Sequence, residues 1–139
     1  ALIGTRFITH PPIQAFRVTV TQPDHPLVAG ISDFTTEDEP YCCEVIGDID
    51  ILLESRYSSK TMSALPDGWD DTERVHPQMY LKKVGRGEIL YLMLGHCCGR
   101  FDMQPIMQEC DSVRCSWDLP VYDELLKRGI SWGIGYTSR

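Results

Sequence analysis

The sequence predicts an α/β domain, and three stretches carry that reading. Ala15 to Val20 alternates apolar and polar residues in the manner of a half-buried strand, bounded by Pro11-Pro12 and Pro23. Met79 to Val84 and Glu88 to Leu94 flank Gly85-Arg-Gly87, the pattern of a β-hairpin around a short turn that needs positive φ. Near the C-terminus, Val121, Leu125, Leu126 and Ile130 fall at helical spacing, continued by Trp132 or Ile134.

The other elements follow in order. Asp50 to Tyr57 reads as a strand, and Ser58 to Asp71, rich in Ser, Pro, Gly and Asp, reads as a loop. The second hairpin segment is nearly all apolar, so it is expected in the sheet interior with both faces covered. For the helix, Asp118 is the candidate N-cap, Pro120 suits the first turn, and Asp123 and Glu124 favour its positive end. Residues 100–117 have weak periodicity and read as a short helix or an irregular excursion. With one strong helix, the chain supplies too few βαβ units for a complete doubly wound sheet. Residues 1–139 are therefore expected to be one domain, or the C-terminal portion of one.

Composition narrows the function. A chain of 139 residues, 42% hydrophobic and 24% charged, is an ordinary globular domain. The net charge of −7, with basic residues scattered, argues against nucleic-acid binding. No apolar run is long enough to span a bilayer, and no secretory signal is visible at the start. The cysteines at 42, 43, 97, 98, 110 and 115 match neither a disulfide framework nor a structural zinc spacing. Reduced thiols in a cytoplasmic protein are the preferred reading.

Titratable groups concentrate in two places. The segment from His25 to Tyr41 holds His25, Asp38, Glu39 and Tyr41, with Pro and Gly that prevent one regular element. His96 closes the apolar run from Ile89 to Gly95, which is where an open α/β sheet places ligand sites. Each candidate has a plainer reading. His96 could be a structural histidine, His25 could cap local backbone, Asp38 and Glu39 could be a solvated acidic loop, and Tyr41 could be a packed aromatic. His10 could line the same pocket, and His76 reads as a surface residue. Zinc or manganese held by His and carboxylate is the minority option, since no H-x-H or H-E-x-x-H spacing supports it. No cofactor is expected.

Five segments, in order, carry a family resemblance. They are Gly4-Thr-Arg-Phe7 with His10-Pro-Pro, His25-Pro-Leu-Val-Ala-Gly30 with Asp33-Phe34, Asp38-Glu-Pro-Tyr41, Val84-Gly-Arg-Gly87 leading to Leu94-Gly-His96, and Leu125-Leu-Lys-Arg-Gly-Ile-Ser-Trp132. Together they resemble the ThuA-like, or trehalose-utilisation, family of the class I glutamine amidotransferase-like proteins. Glu88 departs from the family pattern, as do Cys97 and Cys98 after the Leu-Gly-His motif.

The resemblance implies a flavodoxin-like three-layer sandwich lacking its N-terminal strands in this chain, and a sugar or keto-sugar ligand. For that substrate class, the residues have the capacity for proton transfer next to a carbonyl: isomerisation, epimerisation or hydration. His96 would be the acid/base and Glu39 its partner, while His25, Tyr41, His10 and Asp38 bind substrate. The alternatives are a sugar-binding module without catalysis and amidotransferase-like hydrolysis through Cys97 or Cys98. A second copy of the chain and a missing N-terminal segment are the macromolecular partners left open.

Overall fold

The computed structural model describes residues 2–58, 60–61 and 72–135. The loop expected over 58–71 lies almost wholly outside the described residues. A five-stranded sheet runs in the order β3-β2-β5-β6-β7, with β2 at Gln14–Val20, β3 at Phe34–Asp38, β5 at Asp50–Tyr57, β6 at Arg74–Val84 and β7 at Gly87–Leu92. A separate arm pairs β1 (Thr5–Thr9) with β4 (Cys42–Val45). One α-helix, α1 (Pro120–Gly133), follows a 3-10 turn at Cys115–Asp118.

The mixed α/β class stands. A flavodoxin-like sheet is parallel, with helices in its crossovers. Here every neighbouring pair of strands is antiparallel.

Period-two alternation decides what the strands bury. In β2, Phe16 and Val18 are buried while Ala15 and Arg17 face out. In β3 the inward positions are Thr36 and Asp38, which leaves Thr35 and Glu37 exposed. β6 is buried from His76 to Leu81, as befits a strand with neighbours on both sides. It turns through Gly85 and Arg86 into β7, with Val84 opposite Gly87. Positive φ at Gly85 alone, the first of the two turn residues, is the mark of a type II′ hairpin.

β7 differs from expectation, because it is the edge strand and its apolar residues are half-buried. Leu90 and Leu92 pack against the core that includes Leu125 and Tyr122 of α1. Tyr91, between them, faces the other side and stacks on Tyr80, its partner in β6, with ring centroids 5.4 Å apart. The Tyr80 hydroxyl then reaches the Thr5 hydroxyl at 2.9 Å and donates to the Ile3 carbonyl at 2.8 Å, tying the arm to the sheet.

Two further expectations are corrected. Asp118 is not the N-cap of α1, since that place belongs to Leu119, with Pro120 in the first turn. Asp118 instead pairs with Arg114. His76 is not on the surface, being 3% exposed and stacked on Tyr57 with ring centroids 3.9 Å apart. The 100–117 segment is an irregular excursion ending in the 3-10 turn. Among the described residues no helix is long and apolar enough to cross a membrane.

Burial, reinforced by the charge of Arg74, pulls the His76 imidazole down to about 4 from its ordinary value of 6.5. The unfolded chain therefore takes up this proton at a higher pH than the folded one. Stability is full above the unfolded value and falls as pH drops through the window toward 4, by on the order of 3 kcal/mol in total. Melting temperature measured against pH should slope steeply across that window in the wild type and flatten in His76→Phe, which keeps a stacking ring.

Candidate functional site

The site forms where β3 ends beside the segment leaving β7. Asp38, the last inward residue of β3, is 1% exposed. Its Oδ2 accepts the Gly95 N–H at 2.8 Å and the Ser116 hydroxyl, and its Oδ1 accepts the His96 N–H at 3.1 Å and the Glu39 N–H at 2.8 Å. Ser116 also meets the Thr36 hydroxyl at 2.7 Å. A buried carboxylate is tolerable only with such an array of donors. Asp38 is thus neither solvated nor presented to a ligand. It positions the backbone that carries His96 and Glu39.

Gly95 has to be glycine. Its φ is +99°, and a Cβ there would lie 2.0 Å from the Tyr122 hydroxyl of α1. Trp117 donates its indole N–H to the Gly95 carbonyl at 2.8 Å, so backbone groups on both sides of Gly95 are held. Cys115 precedes Ser116 with φ at 45°, a strained conformation for a residue with a side chain. Burial, with Asp38 nearby, pushes its thiol up to about 12, so it stays protonated.

With the backbone held, Glu39 leaves the strand and meets two histidines. Glu39 Oε2 lies 3.0 Å from His96 Nδ1, and its Oε1 lies 3.5 Å from His10 Nδ1. His10 Nδ1 also lies 3.0 Å from the Pro11 carbonyl, which can only accept, so that nitrogen carries the proton. Glu39, His10 and Tyr41 line a cavity of about 350 Å³ together with Phe7, Tyr91 and Met93. This is a volume suited to a small ligand. Phe7 stands edge-on to Tyr41 with ring centroids 5.5 Å apart. Burial first, then the Glu39 charge, pushes the Tyr41 phenol up to about 12, so it remains a neutral donor.

The structure therefore brings Glu39, His10 and Tyr41 to the cavity, and it brings His96, which does not itself line the cavity, to Glu39. His25 is elsewhere, in a turn after β2, where its Nδ1 accepts the Leu27 N–H at 3.3 Å; it does not line the cavity. Sequence reasoning did not select Phe7, Tyr91 or Ser116 for the site. Phe7 belongs to the segment from Gly4 to Pro12 and Tyr91 interrupts an aliphatic run, but Ser116 carries no sequence signal. Among the described residues, no group of three or more His, Cys, Asp or Glu side chains is placed to hold a metal ion.

The fold and site define a mixed α/β domain with a His–carboxylate pair beside an aromatic-walled cavity. The chain belongs to the ThuA family, described as trehalose utilisation, whose model matches residues 1–111. The fold is similar to the crystal structure of a ThuA-like protein from Parabacteroides merdae ATCC 43184, with a TM-score of 0.64 and 22% sequence identity. That similarity covers 98% of this chain and 43% of the other, so this chain spans less than half the length of that relative. No curated protein matches the chain.

Asp38→Asn tests the positioning role. Each Asp38 oxygen accepts a backbone N–H, so an amide NH2 in either orientation faces a donor. The loss should be roughly 3 kcal/mol, and Ser116→Ala should cost about 1 kcal/mol. Chemical denaturation of both variants checks the order; equal effects would mean that Asp38 is not the central acceptor.

Proposed function

We propose that this domain performs acid/base chemistry on a sugar derivative, as an isomerase, epimerase or hydratase acting beside a carbonyl. The observation that carries the proposal is the 3.0 Å approach of Glu39 to His96 Nδ1 next to the cavity. A carboxylate in that position accepts a hydrogen bond from Nδ1–H and so fixes the tautomer, leaving Nε2 to exchange a proton with substrate. His96 Nε2 takes the proton from the carbon next to the carbonyl. The electron pair moves onto the carbonyl oxygen, where the Tyr41 hydroxyl donates a hydrogen bond. Isomerisation returns the proton to the former carbonyl carbon while the hydroxyl proton of the deprotonated carbon passes to the former carbonyl oxygen, so one oxygen ends as the new carbonyl and the other as a hydroxyl. Protonation of the original carbon on its opposite face, with the carbonyl restored, epimerises the sugar. The rings of Phe7 and Tyr91 provide apolar walls for the C–H faces of a pyranose, while His10 and Glu39 supply polar contacts.

The family's association with trehalose utilisation supports the substrate class. Thiol hydrolysis is a weaker reading. Cys98 faces Cys110, and this contact raises its thiol to about 11, whereas a nucleophile needs the opposite shift. A flavodoxin-like three-layer arrangement is likewise proposed on the family resemblance alone, since the strand pairs described are antiparallel.

Deuterium uptake from solvent next to the carbonyl of an oxidised disaccharide tests the mechanism. Glu39→Gln should slow exchange about 100-fold or more and His96→Gln further, with melting temperatures retained. Wild-type binding of the sugar without exchange would instead identify a sugar-binding module.

A further inference from the structure

Two of the chain's six cysteines meet outside the cavity. Cys98 Sγ and Cys110 Sγ are 3.4 Å apart across the neck of the excursion that follows His96. The neck is already closed by backbone bonds. Cys98 and Val113 exchange both hydrogen bonds, at 3.0 and 2.9 Å, and the Cys110 N–H donates to the Arg100 carbonyl at 2.9 Å. The two sulfurs are half-buried, and both approach the Gly99 carbonyl, at 3.6 and 3.3 Å. The backbone thus holds the thiols in register before any bond exists between them, and residues 100–109 beyond them are exposed.

We propose that Cys98 and Cys110 are a reversible dithiol–disulfide pair that pins the excursion between the two strands of backbone bound to Asp38. One stem of the excursion begins two residues after His96, and the other ends three residues before Ser116. Both of those residues donate to the Asp38 carboxylate. Of the remaining cysteines, Cys97 is exposed and Cys42 is buried in the core.

The oxidant is a small disulfide of the glutathione class. One protein thiolate attacks a sulfur of the oxidant, giving a mixed disulfide and releasing one small thiolate. The second protein thiolate then attacks the protein sulfur of that mixed disulfide and displaces the other small thiolate. The two protons lost by the cysteines end on the two small thiols, so the protein is oxidised by two electrons and the oxidant is reduced by two. Cys98 holds its proton through the Cys110 contact, so the rate rises with pH.

The experiment equilibrates the full chain in glutathione buffers of graded ratio, quenches with acid, alkylates, and maps tryptic peptides by mass. Cys97 and Cys98 fall in the peptide 87–100 and Cys110 in 101–114, so a Cys98–Cys110 bond joins the two. The expected result is that linked pair, cleaved by reductant, with Cys42, Cys43, Cys97 and Cys115 alkylated. Cys97→Ser should retain the link and Cys110→Ser should abolish it. Oxidation should raise the melting temperature of the wild type and leave that of Cys110→Ser unchanged. A link that vanishes in Cys97→Ser, glutathione adducts without a link, or thiols that stay reduced in the most oxidising buffer would each overturn the proposal.

Discussion

The buried carboxylate of Asp38 is the constraint on which the site depends. Its four donors come from three separate parts of the chain: Glu39 beside it, Gly95 and His96 after β7, and Ser116 before α1. Each donor alone is worth a modest amount, but the ion cannot be left short of partners in a site this dry. The cost of desolvating one carboxylate therefore makes three segments converge. The imidazole of His96 and the carboxylate of Glu39 meet because their backbones share this acceptor. Glycine at position 95 completes the arrangement, since only a residue without Cβ can turn there beneath Tyr122.

Much of the fold could be read from the sequence because periodicity states burial. β2, β5, the β6–β7 hairpin and α1 are each announced by apolar spacing or turn chemistry. What periodicity does not state is who lies beside whom. β7 has the composition of an interior strand, yet it is the edge of the described sheet. The β1–β4 arm was not foreseen, because its pairing is non-local and Phe7, Ile8 and Val45 are exposed rather than buried. His76 looked like a surface residue for want of a motif. It is buried because the stretch His76–Leu81 of β6 is covered on both faces and Tyr57 offers a flat partner.

The site was legible in outline for a similar reason. A histidine placed after an apolar strand points to the end of a sheet element, and acids grouped in a segment broken by Pro and Gly point to a loop, where side chains leave the core. His25 shared the motif richness of that region, but it falls in the turn before β3, and its ring nitrogen caps the turn backbone instead of reaching the cavity. Ser116 could not be found at all. Its importance comes from a hydrogen bond to a residue 78 positions away.

Adjacent acids can hold opposite duties because a strand reverses its side at every residue. Glu37 points to solvent, Asp38 points into the core, and Glu39 follows where the strand has ended and its side chain can swing to the cavity. A sequence with Asp38 and Glu39 exchanged would keep the composition and the net charge. It would place the longer side chain in the space shaped for Asp38 and the shorter one too far from His96. The division between the acid that holds the backbone and the acid that addresses the imidazole is thus set by the pleat of β3, and the chemistry available at the cavity follows from it.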